Sequence, residues 1–105
     1  MNFHNSSDEE LALLALRQPE CYDFLILRHR LSLINFIYFK YTRSLPEAED
    51  IVQEAHIKAY INLASFDATR KWKTWLFRIA INVTKSFLNK IKTLDSQCSL
   101  FQLRQ

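Results

Sequence analysis

The chain has 105 residues, 49% apolar and 24% charged, which is the size and balance of one ordinary globular domain with no room for a second. With no glycine and only two prolines, it lacks the means for hairpin-rich folds and phosphate-cradling loops, which draw on glycine's freedom at positive φ. The net charge of +3 is unevenly placed: residues 1–64 carry nine acids and six Lys or Arg, net −3, whereas residues 65–105 carry two acids and eight bases, net +6. Residues 68–94 hold seven bases and no acid, the pattern of a surface that meets a polyanion.

The first helix start is Ser7, with Glu10 three residues later: a capping box, in which each side chain can satisfy a backbone N–H left free at a helix terminus. A short helix from Asp8 to about Arg17 follows. Pro19 suits the first turn of a second helix, where its missing N–H costs nothing. That helix runs to about Tyr41, and its apolar residues cover more than one stripe, as in a central helix packed on several sides. Ser44, Pro46 and Glu47 repeat the start signal for a third helix from Leu45 to about Leu63, with Ile51, Val52, Ala55, Ala59 and Leu63 facing inward. After a break at 64–69, Thr69 can cap a fourth helix from about Arg70 to Lys92, whose buried face is Trp75, Leu76, Ile79, Ala80, Val83 and Phe87. The periodicity then fades, so the expected domain is 7–93 and 94–105 is expected to be a frayed tail or the start of a linker. The fold class is all-α, a single bundle of about four helices with no sheet.

Catalysis finds little support. Cys21 and Cys98 form no CxxC, His4, His29 and His56 form no HExxH, and the acids gather at helix starts where they offset the dipole. A reduced cytoplasmic protein with no metal and no cofactor is expected. The first ten residues lack the pattern of a signal peptide, and the apolar stretch from Leu31 to Phe39 is too short to span a bilayer.

Binding is the better class. Arg78, Asn82, Lys85, Asn89 and Lys92 follow steps of four, three, four and three, which puts them on one stripe of the fourth helix, away from its apolar face. Cations neutralise phosphates and asparagine amides can read base edges. A solvated stripe is the bland alternative, but such stripes ordinarily mix both signs of charge. In the preceding segment, Phe66 to Lys73, aromatic and basic residues interleave, which suits single-stranded nucleic acid. Trp75 continues the apolar stripe and is expected in the core, while Phe66 and Trp72 are open to either reading. On the third helix Asp50, Gln53, Glu54, Ile57 and Ile61 share a side, a patch fit for a partner helix carrying arginines around an apolar centre.

The succession Glu49-Asp50-Ile51-Val52-Gln53-Glu54, Lys58-Ala59-Tyr60, Phe66 and Thr74 to Asn82 resembles region 2 of bacterial RNA polymerase sigma factors of the extracytoplasmic-function group. The likeness begins at Asp8-Glu9-Glu10-Leu11 and covers about residues 7–92. It implies a helical domain that binds the clamp helices of the polymerase β′ subunit, recognises the promoter minus-ten element and helps open the duplex. By that resemblance Asp50, Gln53, Glu54, Ile57 and Lys58 would face the clamp helices. Phe66, Arg70, Lys71, Trp72 and Lys73 of the loop would capture an extruded base, and Arg78, Asn82, Lys85 and Asn89 would contact the non-template single strand. An anti-sigma factor is a further partner class that the resemblance allows.

Two departures stand out. Where the family's loop carries glycine and small residues, this one has Asp67-Ala68-Thr69-Arg70-Lys71. The second, helix-turn-helix domain of a whole factor is absent from these 105 residues, so the expectation is one domain of a longer chain, or one half of a split factor. A helical protein-interaction module without DNA binding is the competing class. A small helix-turn-helix repressor would need a tight turn and a short recognition helix, which the long fourth helix does not offer.

Overall fold

The computed structural model describes the backbone of residues 5–103 and the side chains of residues 5–92. Four α-helices make the fold: α1 (Asp8–Ala15), α2 (Pro19–Ile37), α3 (Leu45–Ile61) and α4 (Trp72–Leu103). A π-helical turn, Tyr38–Thr42, ends α2, and a short 3-10 turn, Leu63–Ser65, follows α3. No strand occurs among the described residues.

The starts of α1 and α3 are local constructions. The Ser7 hydroxyl accepts from the Glu10 N–H at 3.1 Å, and Ser44 does the same for Glu47 at 3.5 Å. Pro19 and Pro46 sit in the first turns of α2 and α3. After the π turn, Arg43 reverses the chain at φ 53°, a left-handed conformation that costs a residue with a Cβ about 1–2 kcal/mol. Its N–H closes the turn on the Tyr38 carbonyl, and Nε donates to the Phe39 carbonyl.

The start of α4 is different. The helix begins at Trp72, two residues later than its sequence suggests, and Thr69 is not its cap. Thr69 instead turns back on Asp67, giving both its N–H (3.0 Å) and its hydroxyl proton (2.7 Å) to Oδ1. The Trp72 N–H donates to the Glu9 carboxylate of α1 at 2.9 Å, so an acid from the first helix terminates the fourth. At its other end the α4 backbone stays helical to Leu103, beyond the expected end near Lys92.

The core lies where the four helices meet. α1 gives Leu11 and Ala15, α2 gives Leu25, Leu33 and Ile37, α3 gives Ile51, Val52, Ala55 and Ala59, and α4 gives Trp72, Leu76, Ala80 and Val83. The alanine ridge of α3 keeps that helix close to its neighbours. Cys21 is a buried free thiol, and Cys98 lies outside the described side chains.

Candidate nucleic-acid interface

On α4 the ridge Trp72, Leu76, Ala80, Val83 faces inward, so Arg78, Asn82, Lys85, Asn89 and Lys92 point to solvent on the opposite side, and all five are exposed. Among the described residues neither Arg78 nor Lys85 forms an ion pair. Their charge is therefore available to an external anion. Arg78, Asn82 and Lys85 also border an open depression of about 470 Å³ whose apolar floor includes Phe77 and Ile81.

The structure reverses the roles of the two tryptophans. Trp72, open to either reading in the sequence, is 1% exposed and heads the core ridge, whereas Trp75, expected in the core, is only partly buried at its edge. The helical phase explains this: 72, 76, 80 and 83 step by four, four and three onto one inward ridge, and position 75 falls on its flank. The spacing 72, 76, 80, 83 carries that signal. Phe66 is also buried, at 9% exposure, with its ring 5.2 Å from Trp72 and 5.1 Å from Trp75. In this conformation Phe66 and Trp72 support the loop from beneath rather than offer a face to a base. Arg70, Lys71 and Lys73 are exposed as expected, although Arg70 lies 3.9 Å from Asp67. The two Thr69 hydrogen bonds hold the Asp67 carboxyl below the usual carboxylate range.

On α3 the residues Asp50, Gln53, Glu54, Ile57 and Lys58 are all exposed, and Ile57 and Ile61 keep 52% and 72% of their surface in water. Lys58 reaches back to Glu54 at 3.8 Å, so the one cation of this face is partly neutralised. Beside it, Gln53 and Ile57 edge a groove of about 590 Å³ between α2 and α3, bordered also by Tyr22, Ile26, Arg30 and Tyr60. His56 lines this groove, 5% exposed and with Nε2 lacking a hydrogen-bond partner. Burial, then the charges of Arg30 and His29, lower the pKa of its imidazole to about 4. The Tyr22 hydroxyl donates to the His56 carbonyl, and burial, with Tyr60 nearby, raises that phenol's pKa. Nothing in the sequence pattern marks His56 as buried beyond its place one residue after Ala55.

Among the described residues no helix is long and apolar enough to cross a membrane, and no three His, Cys, Asp or Glu side chains gather as metal ligands would.

Comparison with known proteins places this all-helical bundle with its acid-free outer stripe on α4. Residues 25–93 match the model of Sigma-70 region 2, and the chain belongs to that family. It is 55% identical over 49 residues to the ECF RNA polymerase sigma factor SigW of Bacillus subtilis, covering 47% of this chain and 26% of that protein. With the ECF RNA polymerase sigma-E factor of Escherichia coli it shares 35% identity over 71 residues, 66% of this chain and 35% of the relative. Thus the chain spans about a quarter to a third of the length of the curated relatives it matches. Its fold is similar to an engineered region 2 of sigmaE, solved by NMR in complex with GTAAAA, with TM-score 0.75, 34% identity and coverage of 86% of this chain and 93% of the other.

Proposed function

We propose that this chain is a promoter-reading module of an RNA polymerase sigma factor, with two working faces. The outer face of α4 takes the minus-ten strand: Arg78 and Lys85 neutralise phosphates, and Asn82, between them on the stripe, hydrogen-bonds a base edge. The loop cations Arg70 and Lys71 extend the phosphate contacts, and Trp75, at the margin of the stripe, is the ring that meets a base. The outer face of α3, through Asp50, Gln53, Glu54 and Ile57, meets the β′ clamp helices. The observation that carries the reading is the exposed stripe from Arg78 to Asn89, which holds cations and amides but no acid. Membership of the family supports it, as does the sigmaE neighbour's complex with GTAAAA.

Opening a promoter opposes stacking that averages about 1.4 kcal/mol per step, which an isolated module of this size cannot supply in full. Preference for the separated strand is therefore the property to measure. In the presence of core polymerase, a minus-ten oligonucleotide should bind more tightly than a scrambled one. Asn82→Ala should relax discrimination at one base, at a cost of about 1–3 kcal/mol. Lys85→Ala should weaken all sequences alike and make the log–log salt slope shallower by about 0.7. Equal affinity of the wild type for both oligonucleotides would refute base reading by this module and favour a protein-interaction scaffold.

A further inference from the structure

The α4 stripe has an aromatic margin on each side, and Trp75 supplies only one of them. On the other side Phe77 meets α2, its ring 5.3 Å from Phe36, and Phe36 in turn meets Tyr41 of the π turn edge-on at 6.0 Å. All three rings are partly exposed. Two lysines stand over them: Lys73 Nζ is 5.6 Å from the centre of Phe77, and Lys40 Nζ is 5.4 Å from Phe36 and 5.9 Å from Tyr41. Both lysines are exposed, and among the described residues neither forms an ion pair. Phe77 and Lys73 share the 470 Å³ depression with Arg78, Asn82 and Lys85, so this patch is continuous with the stripe.

Packing accounts for Phe36 and Phe77, which seal the join between α2 and α4. It does not account for an unpaired lysine over each of the neighbouring rings, because an exposed cation–π contact contributes only about 0.5–1 kcal/mol. Flat apolar rings interleaved with unpaired cations are the chemistry that holds a single strand: phosphates on the cations, unstacked bases on the rings.

We propose that Phe36, Lys40, Tyr41, Lys73 and Phe77 form a second nucleic-acid subsite, which takes the single strand as it leaves the Lys73 end of the α4 stripe. Lys40 and Lys73 contact successive phosphates, and the Tyr41 ring stacks on a base. The proposal rests on the reading that the stripe itself binds a single strand.

The test is fluorescence anisotropy on the 105-residue chain with a six-nucleotide minus-ten oligonucleotide and with the same oligonucleotide lengthened by four nucleotides at its 5′ or its 3′ end. One extension should tighten binding several-fold and steepen the log–log salt slope by about 1.4, for two added phosphate contacts at roughly 0.7 each. Lys40→Gln should remove about half of that steepening and Tyr41→Leu most of the affinity gain, both leaving hexamer binding and the circular dichroism spectrum as they were. If neither extension improves binding, or the gain survives in the double variant, the subsite is refuted. A glutamate-rich peptide that competes away the extension but not the hexamer would also overturn it, by assigning the lysines to an acidic protein partner. The two readings fail separately: hexamer binding that depends on Lys85, without any gain on extension, sinks only the subsite, whereas hexamer binding indifferent to Lys85→Ala sinks the stripe and the subsite together.

Discussion

Opposite the buried ridge of Ala48, Val52, Ala55 and Ala59, helix α3 presents Asp50, Gln53, Glu54, Ile57 and Ile61; opposite Trp72, Leu76, Ala80 and Val83, helix α4 presents Arg78, Asn82, Lys85 and Asn89. The inner sides do the same work, closing one core between small and large apolar residues. The outer sides contribute little to folding, since exposed charges add at most about 1 kcal/mol each, so their composition is free to answer to partners. On α3, acids surround exposed aliphatic side chains and the cation is tied to an acid, as suits a protein partner that brings its own arginines and buries apolar area. On α4, cations and amides stand without acids, as suits a polyanion. Two helices of one bundle thus share an inner logic and differ on the outside.

The comparison breaks most visibly on the inner side. Trp72→Ala should lose about 3–5 kcal/mol in chemical denaturation, a large part of the stability of a domain this size. Trp75→Ala, at the edge of the core, should lose well under half as much; equal losses would return Trp75 to the ridge that its sequence position suggests.

On the outer side of α3, reversing Asp50 and Glu54 to Lys should leave the melting curve nearly unchanged while weakening pulldown of β′ by an order of magnitude or more, about 1.4 kcal/mol. Retained pulldown in the folded double variant would separate this face from polymerase binding.

Between inner and outer effects lies the cap that α1 gives to α4. Glu9→Ala removes the acceptor of the Trp72 N–H and should cost about 1 kcal/mol. Ser44→Ala should cost a similar amount at the start of α3, with the difference that Glu9→Ala also loosens the loop, seen as faster amide exchange from Asp67 to Lys73.

The smallest effect at neutral pH is His56→Phe on α3. Folding holds the imidazole neutral down to about pH 4, while in the unfolded chain it takes up a proton near pH 6.5. Between those values the unfolded state binds more protons, so this group's contribution to stability falls as the pH falls through that window. Melting temperatures at pH 7 and pH 5 should therefore differ more in the wild type than in His56→Phe; identical differences would remove His56 from the pH response.

Much of this architecture is legible along the chain. The capping residues Ser7 and Ser44, the first-turn prolines and the apolar periodicity are all local, because a helix is specified by neighbours within about four positions. The outer stripe of α4 is legible for the same reason: Arg78, Asn82, Lys85 and Asn89 lie on one helix, and no other element has to place them together. The same locality misled at the start of α4, where Thr69 has the chemistry of a cap but bonds Asp67 instead.

What the sequence by itself determined is therefore which segments are helical and which chemistry each helix can turn outward, both set by contacts a few residues apart. Only the tertiary structure decided where α4 begins, because its cap comes from Glu9, 63 residues away. It alone buried His56 against α2 and brought Phe36 and Tyr41 to Phe77 beside the stripe. Contacts of that kind depend on how the helices cross, and crossing is settled by the joint packing of all four ridges, a property that no single stretch of residues contains.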